Sequence, residues 1–519
     1  MYDYVIVGAG SAGCVLASRL SEDPNVSVCL LEAGGPDTLE TIHIPALFGD
    51  LFRTKVDWDY DSHYEEGLDR RRIFLPRGRV LGGTSSINAM LYIRANPLDY
   101  DGWLQPGWSY DELLPLFRRS EDNERGASHY HGAGGPLRVS EGRSNNVTMT
   151  ALIEAAIEAG HPANDDFNAG IQDGFGRFQL TQRDGARWSV ADAFLRPALQ
   201  RPNLTVISNF HALRLELTGT TVTGVVGERF GEEQTIRADG EVVLSSGAYN
   251  TPTLLLYSGI GPAGILEGAG VDVKLDHPWV GRNLQDHLFV PLIYAHDEPV
   301  STIAAGDAER AEFLEHGTGP FTSNGPEAGG FIRTRPGLPA PDVSFYCGPM
   351  MFPDSGLSVP TDHAITYGPV MLTPESRGQV SIIGADPTTK PKIEHNYLSE
   401  ADDRVVAVEG VRAALKIAEQ PALRRYTTRP HQVPASDDAQ EILAFIRRIA
   451  HPIWHAGGSA AMGKVVDAEL RVQGLDNLRI ADTSVMPTIG RGATNASAIV
   501  IGEKAADLIA AARPVLRAA

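Results

Sequence analysis

The chain has few cysteines, no long apolar run, and too few basic residues to balance its acidic ones. Cys14, Cys29 and Cys347 are the only cysteines among 519 residues, too few and too scattered for a disulfide framework or a metal site. No run of eighteen apolar residues occurs, so no transmembrane helix is predicted. The net charge of −20 argues against binding to nucleic acid or to an anionic membrane surface. We therefore expect no metal, no nucleic-acid partner and no membrane span.

The rest of the composition is that of an ordinary globular protein, with 42% hydrophobic and 21% charged residues. The length exceeds what one hydrophobic core usually supports, which predicts at least two domains. The first predicted strand begins at Tyr2 and leaves no room for a secretory signal. A reducing cytoplasm is the expected location.

The opening forty residues carry a nucleotide-binding pattern. The segment YDYVIVGAGSAGCVLASRL reads as a strand, a turn and a helix, with Gly8, Gly10 and Gly13 in the G-x-G-x-x-G spacing. These glycines permit a tight turn, close approach of a pyrophosphate, and close packing of helix on strand, respectively. A second apolar strand leads to Glu32, at the distance where a carboxylate binds a ribose hydroxyl. The pattern predicts a dinucleotide site, and LLEAGG at its end favours FAD over NAD.

Two further glycine-rich stretches place backbone amides where a ligand can approach them. GRVLGGTSSINAMLYIRANPLDYD, residues 78–101, combines glycine with small and hydroxylic residues, as a flavin and its diphosphate require. GAYNTPTLLLYSGIG, residues 247–261, follows a strand end and begins a helix at Thr-Pro. Read alone, the first also fits a tight turn before a buried helix, and the second an ordinary strand-to-helix crossover.

Together these stretches resemble the glucose–methanol–choline (GMC) family of flavin oxidoreductases. Residues 78–101 match the earlier signature of that family, and residues 247–261 match the later one. Three other stretches are also similar to the family: the first glycine turn, VGRNLQDH (280–287) and RIADTSVMPTI (479–489). The resemblance extends from residue 2 to about residue 512 and is weakest between residues 290 and 450.

The resemblance implies an α/β fold, α+β overall. A Rossmann-like FAD-binding domain with a parallel sheet is expected at 1–150, 200–290 and 452–519. An inserted substrate-binding domain, with an antiparallel sheet and helices, is expected at 151–199 and 291–451. Inside the latter, the Pro/Gly-rich segment from 324 to 342 is predicted to be a loop.

FAD is the cofactor that the resemblance implies. Some family members tether FAD through a histidine in the earlier signature, but Ile87 stands at that position, so non-covalent binding is expected. Asp482 is expected near the ribityl-phosphate region and Ala212 near the adenine. The expected cofactor contacts are Gly8, Gly10, Ser11, Ala12, Gly13, Glu32, Ala33, Val80, Gly83, Asn88, Ala89, Met90, Leu91, Ala212, Trp454, Asp482, Ala493 and Asn495.

HPIWHAGGSAAMG, residues 451–463, contains the candidate base. The family has its catalytic histidine immediately before a small-residue run that ends in Met-Gly, and here that residue is His455. A neutral imidazole suits removal of an alcohol proton while the carbon-bound hydride leaves for the flavin. Trp454 is expected beside the flavin and the substrate entry. His451 is predicted to be structural, as a cation that caps carbonyls at a helix end.

The second polar catalytic residue of the family is missing from its expected position. Counting eleven residues back from Lys504 reaches Ala493, whose methyl group cannot hydrogen-bond a substrate oxygen. Asn495, two residues later, matches a familial asparagine near the flavin. Either Asn495 enters the catalytic site, or His455 works without a second polar residue.

The resemblance implies oxidation of an alcohol to an aldehyde or ketone, with dioxygen, a quinone or a dye reoxidising the flavin. Trp454 and Ile453 favour an oxidase for a small primary alcohol of aromatic or furanic type. Residues 344–353 and 362–372 are predicted to form strands that line an apolar pocket, with Phe345, Tyr346, Met350, Met351 and Phe352 as candidates. Two alternatives stay open: a non-redox lyase that resembles hydroxynitrile lyases, and a flavin-containing binding protein. The sequence does not define the oligomeric state.

Overall fold

Two large β-sheets and the helices packed on them organise residues 1–512, the part of the chain that this computed structural model describes. The α-helices are Ser11–Leu20, Glu40–His43, Pro97–Asp101, Tyr110–Ser120, Val147–Glu158, Arg196–Ala198, Gly247–Tyr257, Ala263–Ala269, Asp307–His316, Ala401–Ala418, Ala439–Ile449 and Thr494–Ala512. A π-helical turn covers Ala191–Leu195. The 3₁₀ turns are Pro45–Leu51, Glu66–Leu68, Gly83–Ser86, Thr302–Ala304, Pro320–Thr322, Asp354–Gly356, Pro421–Tyr426 and Thr483–Val485.

The first sheet has seven strands and a parallel centre. Its spatial order is Leu204–Ile207, Val28–Leu31, Tyr2–Val7, Glu232–Leu244, Thr221–Arg229 and His211–Thr218, with Leu478–Ile480 also paired to Glu232–Leu244. The pairs around Tyr2–Val7 are parallel, whereas residues 211–237 form an antiparallel meander. Helix Ser11–Leu20 connects the first two parallel strands, so its N-terminus lies at the carboxyl end of the sheet. Ligands bind at that edge in open parallel sheets.

The second sheet has eight strands, all paired antiparallel. Its spatial order is Arg429–Gln432, Leu292–Ala295, Ala364–Met371, Val343–Gly348, Ala328–Ile332 and Gly174–Arg177, with Leu288–Phe289 paired to both Ala364–Met371 and His451–Pro452. Helix Ala401–Ala418 packs so closely on this sheet that a Cβ on Gly410 would lie 2.7 Å from Pro369. The short strand at 451–452 leads directly into the candidate catalytic segment.

Five smaller sheets occur within residues 1–512. Three of them pair two strands: Tyr60–Asp61 with Phe74–Leu75, Gln182–Arg183 with Ala186–Arg187, and Ile260–Gly261 with Leu275–Asp276. The other two have three strands each, in the orders Glu121–Asn123, Leu137–Glu141, Gln179–Leu180 and Arg282–Leu284, Gly378–Ser381, Lys392–Glu394.

The predicted fold class is confirmed, because a parallel-centred sheet and a separate antiparallel sheet are both present. The strands of the first sheet come from the ranges assigned to FAD binding. The second sheet draws on 174–177 and on segments between 288 and 452, so Leu288–Phe289 crosses the expected boundary at 290. The division into two domains stays a prediction, and its last seven residues lie outside the described chain.

The predicted loop at 324–342 is wrong for residues Ala328–Ile332, which form an inner strand of the second sheet. A Cβ on Gly329 would lie 1.9 Å from the carbonyl oxygen of Phe345, so glycine there permits close strand pairing. Glycine and proline content indicated a loop, but pairing on both sides overrides local propensity.

No helix within residues 1–512 is long and apolar enough to cross a membrane. Over the same residues, no group of His, Cys, Asp and Glu side chains is arranged to hold a metal ion. All three cysteines are buried free thiols.

Candidate active site

The first glycine turn leads into helix Ser11–Leu20. Gly8 has a φ of +102°, and a Cβ there would lie 2.6 Å from the carbonyl oxygen of Ser245. A Cβ on Gly13 would lie 1.9 Å from the Gly8 oxygen, so glycine permits the helix to contact the turn. A Cβ placed on Gly10 would have the Ser245 carbonyl oxygen as its nearest neighbour, at 3.8 Å. No side chain in the described structure caps the N-terminus of the helix. Open space in front of free amide groups is the geometry of an anion site.

Glu32 is buried beside this turn. Its carboxylate accepts hydrogen bonds from the backbone N–H groups of Ala9 at 2.9 Å and Gly34 at 2.8 Å. Burial raises the pKa of Glu32 to about 7, although both hydrogen bonds favour the charged form. A hydroxyl donor such as a ribose would further stabilise the carboxylate.

The second glycine-rich stretch packs directly on the first turn, because a Cβ on Gly83 would lie 2.7 Å from the Gly10 Cα. It continues to Asn88, whose side-chain oxygen accepts a 2.9 Å hydrogen bond from Arg187. Arg187 also donates to the Ser85 carbonyl at 3.1 Å. Its guanidinium is buried, which lowers its pKa to about 9. Arg187 therefore fixes the segment that carries Asn88.

Asp482 ties the C-terminal segment to the third glycine-rich stretch. One carboxylate oxygen accepts hydrogen bonds from the Gly247 N–H at 2.9 Å and the Thr251 hydroxyl at 2.6 Å. The other accepts one from the Ser484 N–H at 2.8 Å. Burial raises the pKa of Asp482 in spite of these bonds.

One cavity extends from the first glycine turn to the candidate base. The expected residues that line it are Gly8, Gly10, Ser11, Ala12, Glu32, Ala33, Gly83, Asn88, Ala89, Met90, Leu91, Ala212, Trp454, His455, Asp482, Ala493 and Asn495. Gly13 and Val80 do not line it. Gly13 packs the helix against the turn, and Val80 is buried in a separate apolar cluster.

A buried carboxylate fixes the position of His455. One oxygen of Asp286 accepts the backbone N–H groups of both His455, at 2.6 Å, and His287, at 2.8 Å. Trp454, just before the base, has a left-handed φ of +63°, and its indole N–H donates to the Phe74 carbonyl at 3.0 Å. Such a backbone is unfavourable for a bulky residue. It persists because these hydrogen bonds hold Trp454 and its neighbour in place.

The hydrogen bonds around His455 define which ring nitrogen is free. Its Nδ1 lies 3.0 Å from Nδ1 of His287, and Nε2 of His287 lies 3.1 Å from the Leu372 carbonyl. A carbonyl only accepts, so Nε2 of His287 carries a hydrogen. Burial lowers the pKa of His287 to about 4, which makes it neutral and leaves its Nδ1 as an acceptor. His455 therefore donates from Nδ1.

The consequence is that Nε2 of His455 carries a free lone pair, provided the ring is neutral. Burial is the main reason that the pKa of His455 lies well below 6.5, and the neighbouring His287 and the positive charge of Arg77 lower it further. The ring is therefore neutral at physiological pH. A neutral imidazole with an unprotonated nitrogen at a cavity wall is suited to accept a proton.

The predicted role of His451 as a cationic helix cap is wrong. Helix Ala439–Ile449 ends before it, and His451 lies in a strand paired with Phe289. Burial lowers its pKa to about 4, because a charged ring would lose its hydration there. The ring stacks on Trp454 at 6.1 Å and lines the same cavity as His455.

Ala493 and Asn495 line the cavity in different surroundings. Ala493 packs in an apolar cluster that contains Tyr346. The side-chain oxygen of Asn495 accepts a 2.6 Å hydrogen bond from the Ser11 hydroxyl, at the start of the first helix. This bond favours a place for Asn495 on the cofactor side. Its catalytic role stays a prediction.

The part of the cavity around His455 is aromatic and apolar. Its side chains are Phe48, Phe52, Phe289, Tyr346, Met350, Phe352, Ile453 and Trp454. Of the five candidate pocket residues, the three that line it are Tyr346, Met350 and Phe352. Phe345 lies in the core because successive side chains of a strand face opposite sides, and Met351 packs in another apolar cluster.

The residues present fit FAD. The uncapped helix N-terminus suits the diphosphate, and the buried Glu32 suits a ribose hydroxyl. The segment from Gly83 to Leu91 continues the cavity toward His455, where an isoalloxazine ring would face the base. Within residues 1–512, the carboxylates that line the cavity are Glu32 and Asp482, and both are bonded to glycine-rich backbone.

Comparison with known proteins decides the family. Residues 2–289 and 374–502 match the N-terminal and C-terminal models of the family described as GMC oxidoreductase. The chain belongs to the GMC oxidoreductase family. This GMC oxidoreductase is accordingly an FAD-dependent enzyme that acts on CH–OH donors.

Similar proteins cover almost the whole GMC oxidoreductase chain. An "alcohol dehydrogenase [acceptor]" of Pseudomonas putida is 40% identical over 529 residues, which cover 98% of this chain and 96% of the relative. Mitochondrial choline dehydrogenase of Homo sapiens is 41% identical over 539 residues, covering 98% and 89%. The crystal structure of pyridoxine 4-oxidase from Mesorbium loti superposes with a TM-score of 0.91 at 32% identity, covering 99% of this chain and 100% of that one.

Sequence reasoning did not assign roles to Asp286, His287 and Arg187. A signal was present for the first two, because they close the VGRNLQDH stretch that resembles the family. Arg187 follows a turn in a region with no recognised motif, and its contact with Asn88 joins positions 99 residues apart.

Replacing the ribose-side carboxylate tests the cofactor end of the cavity. Glu32→Ala should lower the flavin content of the purified GMC oxidoreductase, because a ribose hydroxyl would lose its acceptor. Added FAD should restore part of the activity. The exposed Glu232→Ala, on the same sheet, is the control and should keep its flavin. Absorbance at the flavin maximum, per protein, is the measurement. Full occupancy in Glu32→Ala would place the cofactor elsewhere.

Proposed function

We propose that this GMC oxidoreductase oxidises a neutral aromatic primary alcohol to the aldehyde, with His455 as the base. The observation that carries the proposal is the unprotonated Nε2 of neutral His455, placed at the aromatic end of a cavity whose other end fits FAD. The name of the Pseudomonas putida relative supports an alcohol as the donor.

His455 receives the proton of the substrate hydroxyl at Nε2 and becomes an imidazolium. His287 accepts the Nδ1–H bond throughout, so the ring keeps one orientation while its charge changes. When bound, FAD would supply the hydride acceptor that oxidation of the alcohol carbon to a carbonyl requires. A low pKa keeps the lone pair of His455 available in nearly every molecule at neutral pH.

Tyr346 is our candidate for the second polar group that Ala493 does not provide. Its ring lies 6.5 Å from that of His455, and its hydroxyl makes no hydrogen bond within the described structure. Burial raises the pKa of Tyr346 well above 10, so the hydroxyl keeps its proton and can donate to a developing alkoxide. Loss of one such donor costs on the order of 3 kcal/mol in an oxyanion site.

The charge of the cavity favours a neutral substrate. The nearest cationic influence on His455 is Arg77, whose positive charge helps to lower the pKa of the histidine. Neither lining carboxylate is free to pair with a cation, because Glu32 and Asp482 accept backbone hydrogen bonds at the glycine-rich end. Aromatic rings also bind quaternary ammonium groups, so choline, the substrate in the human relative's name, is an informative comparison substrate. We expect choline to be the poorer substrate.

The oxidative half-reaction can use dioxygen or another acceptor. The relatives include a dehydrogenase named for an acceptor and a pyridoxine oxidase. A cytoplasmic location would keep the three buried cysteines reduced, as the structure has them.

Removal of the base tests the proposed reaction. Under nitrogen, benzyl alcohol should bleach the yellow flavin, and His455→Ala should slow the bleaching at least ~10²-fold, as positioned acid–base catalysis predicts. The exposed His431→Ala is the control and should match the parent. The rate should be independent of pH from about 7 to about 9, because a histidine with a lowered pKa is already deprotonated there. Stopped-flow absorbance per bound flavin is the measurement.

A lyase would give a different outcome in the same experiment. The flavin would stay oxidised with every alcohol, while mandelonitrile would be cleaved to benzaldehyde and hydrogen cyanide. Bleaching that His455→Ala does not slow would remove His455 as the base.

The second polar group is tested by comparing Tyr346→Phe with Asn495→Ala. Tyr346→Phe should slow anaerobic flavin reduction by about a hundredfold, in keeping with the loss of one donor that costs on the order of 3 kcal/mol, and should leave the flavin content unchanged. Asn495→Ala should chiefly lower the flavin content, because its hydrogen bond with Ser11 lies on the cofactor side. If Asn495→Ala slowed flavin reduction at full flavin content while Tyr346→Phe reduced the flavin at the parent rate, Asn495 and not Tyr346 would be the second polar group.

Ile87 predicts how the flavin is held. It lines the cavity at the end of the 3₁₀ turn Gly83–Ser86 and offers no nucleophile. Acid precipitation should therefore release all of the flavin into the supernatant. Visible fluorescence of the washed pellet, or of a peptide from it, would show a covalent link instead.

A further inference from the structure

One buried polar atom in the aromatic half of the cavity has no partner. His451 is 3% exposed, and its Nε2 makes no hydrogen bond with any described residue. The ring lies among cavity-lining aromatic side chains: Phe289 at 5.4 Å, Phe352 at 6.1 Å and Trp454 at 6.1 Å between ring centroids. Buried polar atoms are nearly always hydrogen-bonded, so an unpaired one indicates a missing partner.

The local hydrogen bonds define what kind of partner is missing. Nδ1 of His451 lies 2.9 Å from the carbonyl oxygen of Pro452, which only accepts, so Nδ1 carries the hydrogen. The neutral ring then presents Nε2 as an acceptor. Burial holds the pKa of His451 at about 4, so this tautomer persists at neutral pH. The missing partner is therefore a hydrogen-bond donor.

The surroundings favour a donor that belongs to an aromatic ring. Phe289, Phe352 and Trp454 surround the histidine with apolar surface, which an aliphatic polyol would not match. The reacting hydroxyl belongs at His455, which lines the same cavity and precedes the small-residue run. A substrate that hydrogen-bonds to both histidines needs a hydroxymethyl group for His455 and a second O–H or N–H on its ring for His451.

We propose that His451 is a substrate-binding residue that selects aromatic alcohols carrying a second hydrogen-bond donor on the ring, which it binds through Nε2. This inference rests on the proposed function, since it concerns which aromatic alcohol the same site takes. A buried acceptor left unpaired is unfavourable, so a substrate that satisfies it gains affinity over one that does not.

The test compares substrates whose ring oxygen either can or cannot donate a hydrogen bond. The 2-, 3- and 4-hydroxybenzyl alcohols and the matching methoxybenzyl alcohols place an oxygen at the same ring positions. Only in the hydroxybenzyl alcohols does that ring oxygen carry a hydrogen that it can donate. For at least one isomer, kcat/KM for the hydroxyl compound should exceed that of its methoxy partner at least tenfold. In His451→Phe, which keeps an aromatic ring without an acceptor, that ratio should fall by about tenfold. In His451→Gln, whose amide oxygen can accept, part of the preference should return.

A matched control and a binding measurement complete the experiment. His296→Phe removes another buried histidine, with both ring nitrogens unpartnered but outside the cavity, and should leave the substrate ratio unchanged. Phenol and anisole lack the reacting group, so their inhibition constants report binding alone. Phenol should inhibit the parent enzyme more strongly than anisole does, whereas the two compounds should inhibit His451→Phe equally.

The outcomes separate this inference from the proposed function. If benzyl alcohols reduce the flavin but no hydroxyl isomer is preferred, or if His451→Phe keeps the preference, the role of His451 is overturned and the proposed reaction stands. If no benzylic alcohol reduces the flavin, while phenol still binds better than anisole only with His451 present, the proposed reaction fails and the donor-binding site stands.

Discussion

The geometry of the proposed catalytic site depends on one oxygen of Asp286, which accepts the backbone N–H groups of His287 and His455. These two histidines are 168 residues apart in the chain, and the shared acceptor sets the distance between their rings. Burial raises the pKa of Asp286 to about 6, and the two backbone bonds and the charge of Arg77 partly offset that cost. Without this carboxylate, two buried backbone donors would lose their acceptor, and the histidine pair would lose its alignment.

Both histidines adjoin strands of the antiparallel sheet, because His287 precedes Leu288–Phe289 and His455 follows His451–Pro452. The Leu372 carbonyl follows the strand Ala364–Met371 of the antiparallel sheet, and it determines which nitrogen of His287 carries a hydrogen. His287 then determines the tautomer of His455, which faces the cavity continuous with the parallel sheet. The proton acceptor of the proposed reaction is therefore selected by a backbone group at the end of a third strand of the antiparallel sheet. A carbonyl cannot change its hydrogen-bonding role, so the selection holds at any pH at which His287 is neutral, and burial keeps it neutral by lowering its pKa to about 4.

The cavity has two chemically distinct ends. At the glycine-rich end, close contacts such as Gly83 against Gly10 leave space for backbone amides to meet a diphosphate. At the other end, aromatic rings surround neutral histidines whose pKa values are lowered by burial. Electrostatic interactions are stronger in such a low-dielectric region than in water. A few hydrogen-bonding atoms, on His455, Tyr346 and His451, can therefore govern orientation and selectivity.

Local spacing of residue types indicated the glycine turn and a candidate ribose-binding carboxylate at Glu32, whereas the parallel-centred fold and His455 as the candidate base followed from the resemblance to the family. The sequence also indicated Tyr346, Met350 and Phe352 as pocket residues, together with Phe345 and Met351, which instead pack away from the cavity. It did not determine that His451 would be neutral in a strand, that residues 328–332 would form an inner strand, or that Val80 would turn away from the cavity. Those outcomes, like the roles of Asp286, His287 and Arg187, depend on burial and on partners distant in the chain. Only the tertiary structure fixes them, since a pKa or a tautomer is set by the neighbours that folding brings together.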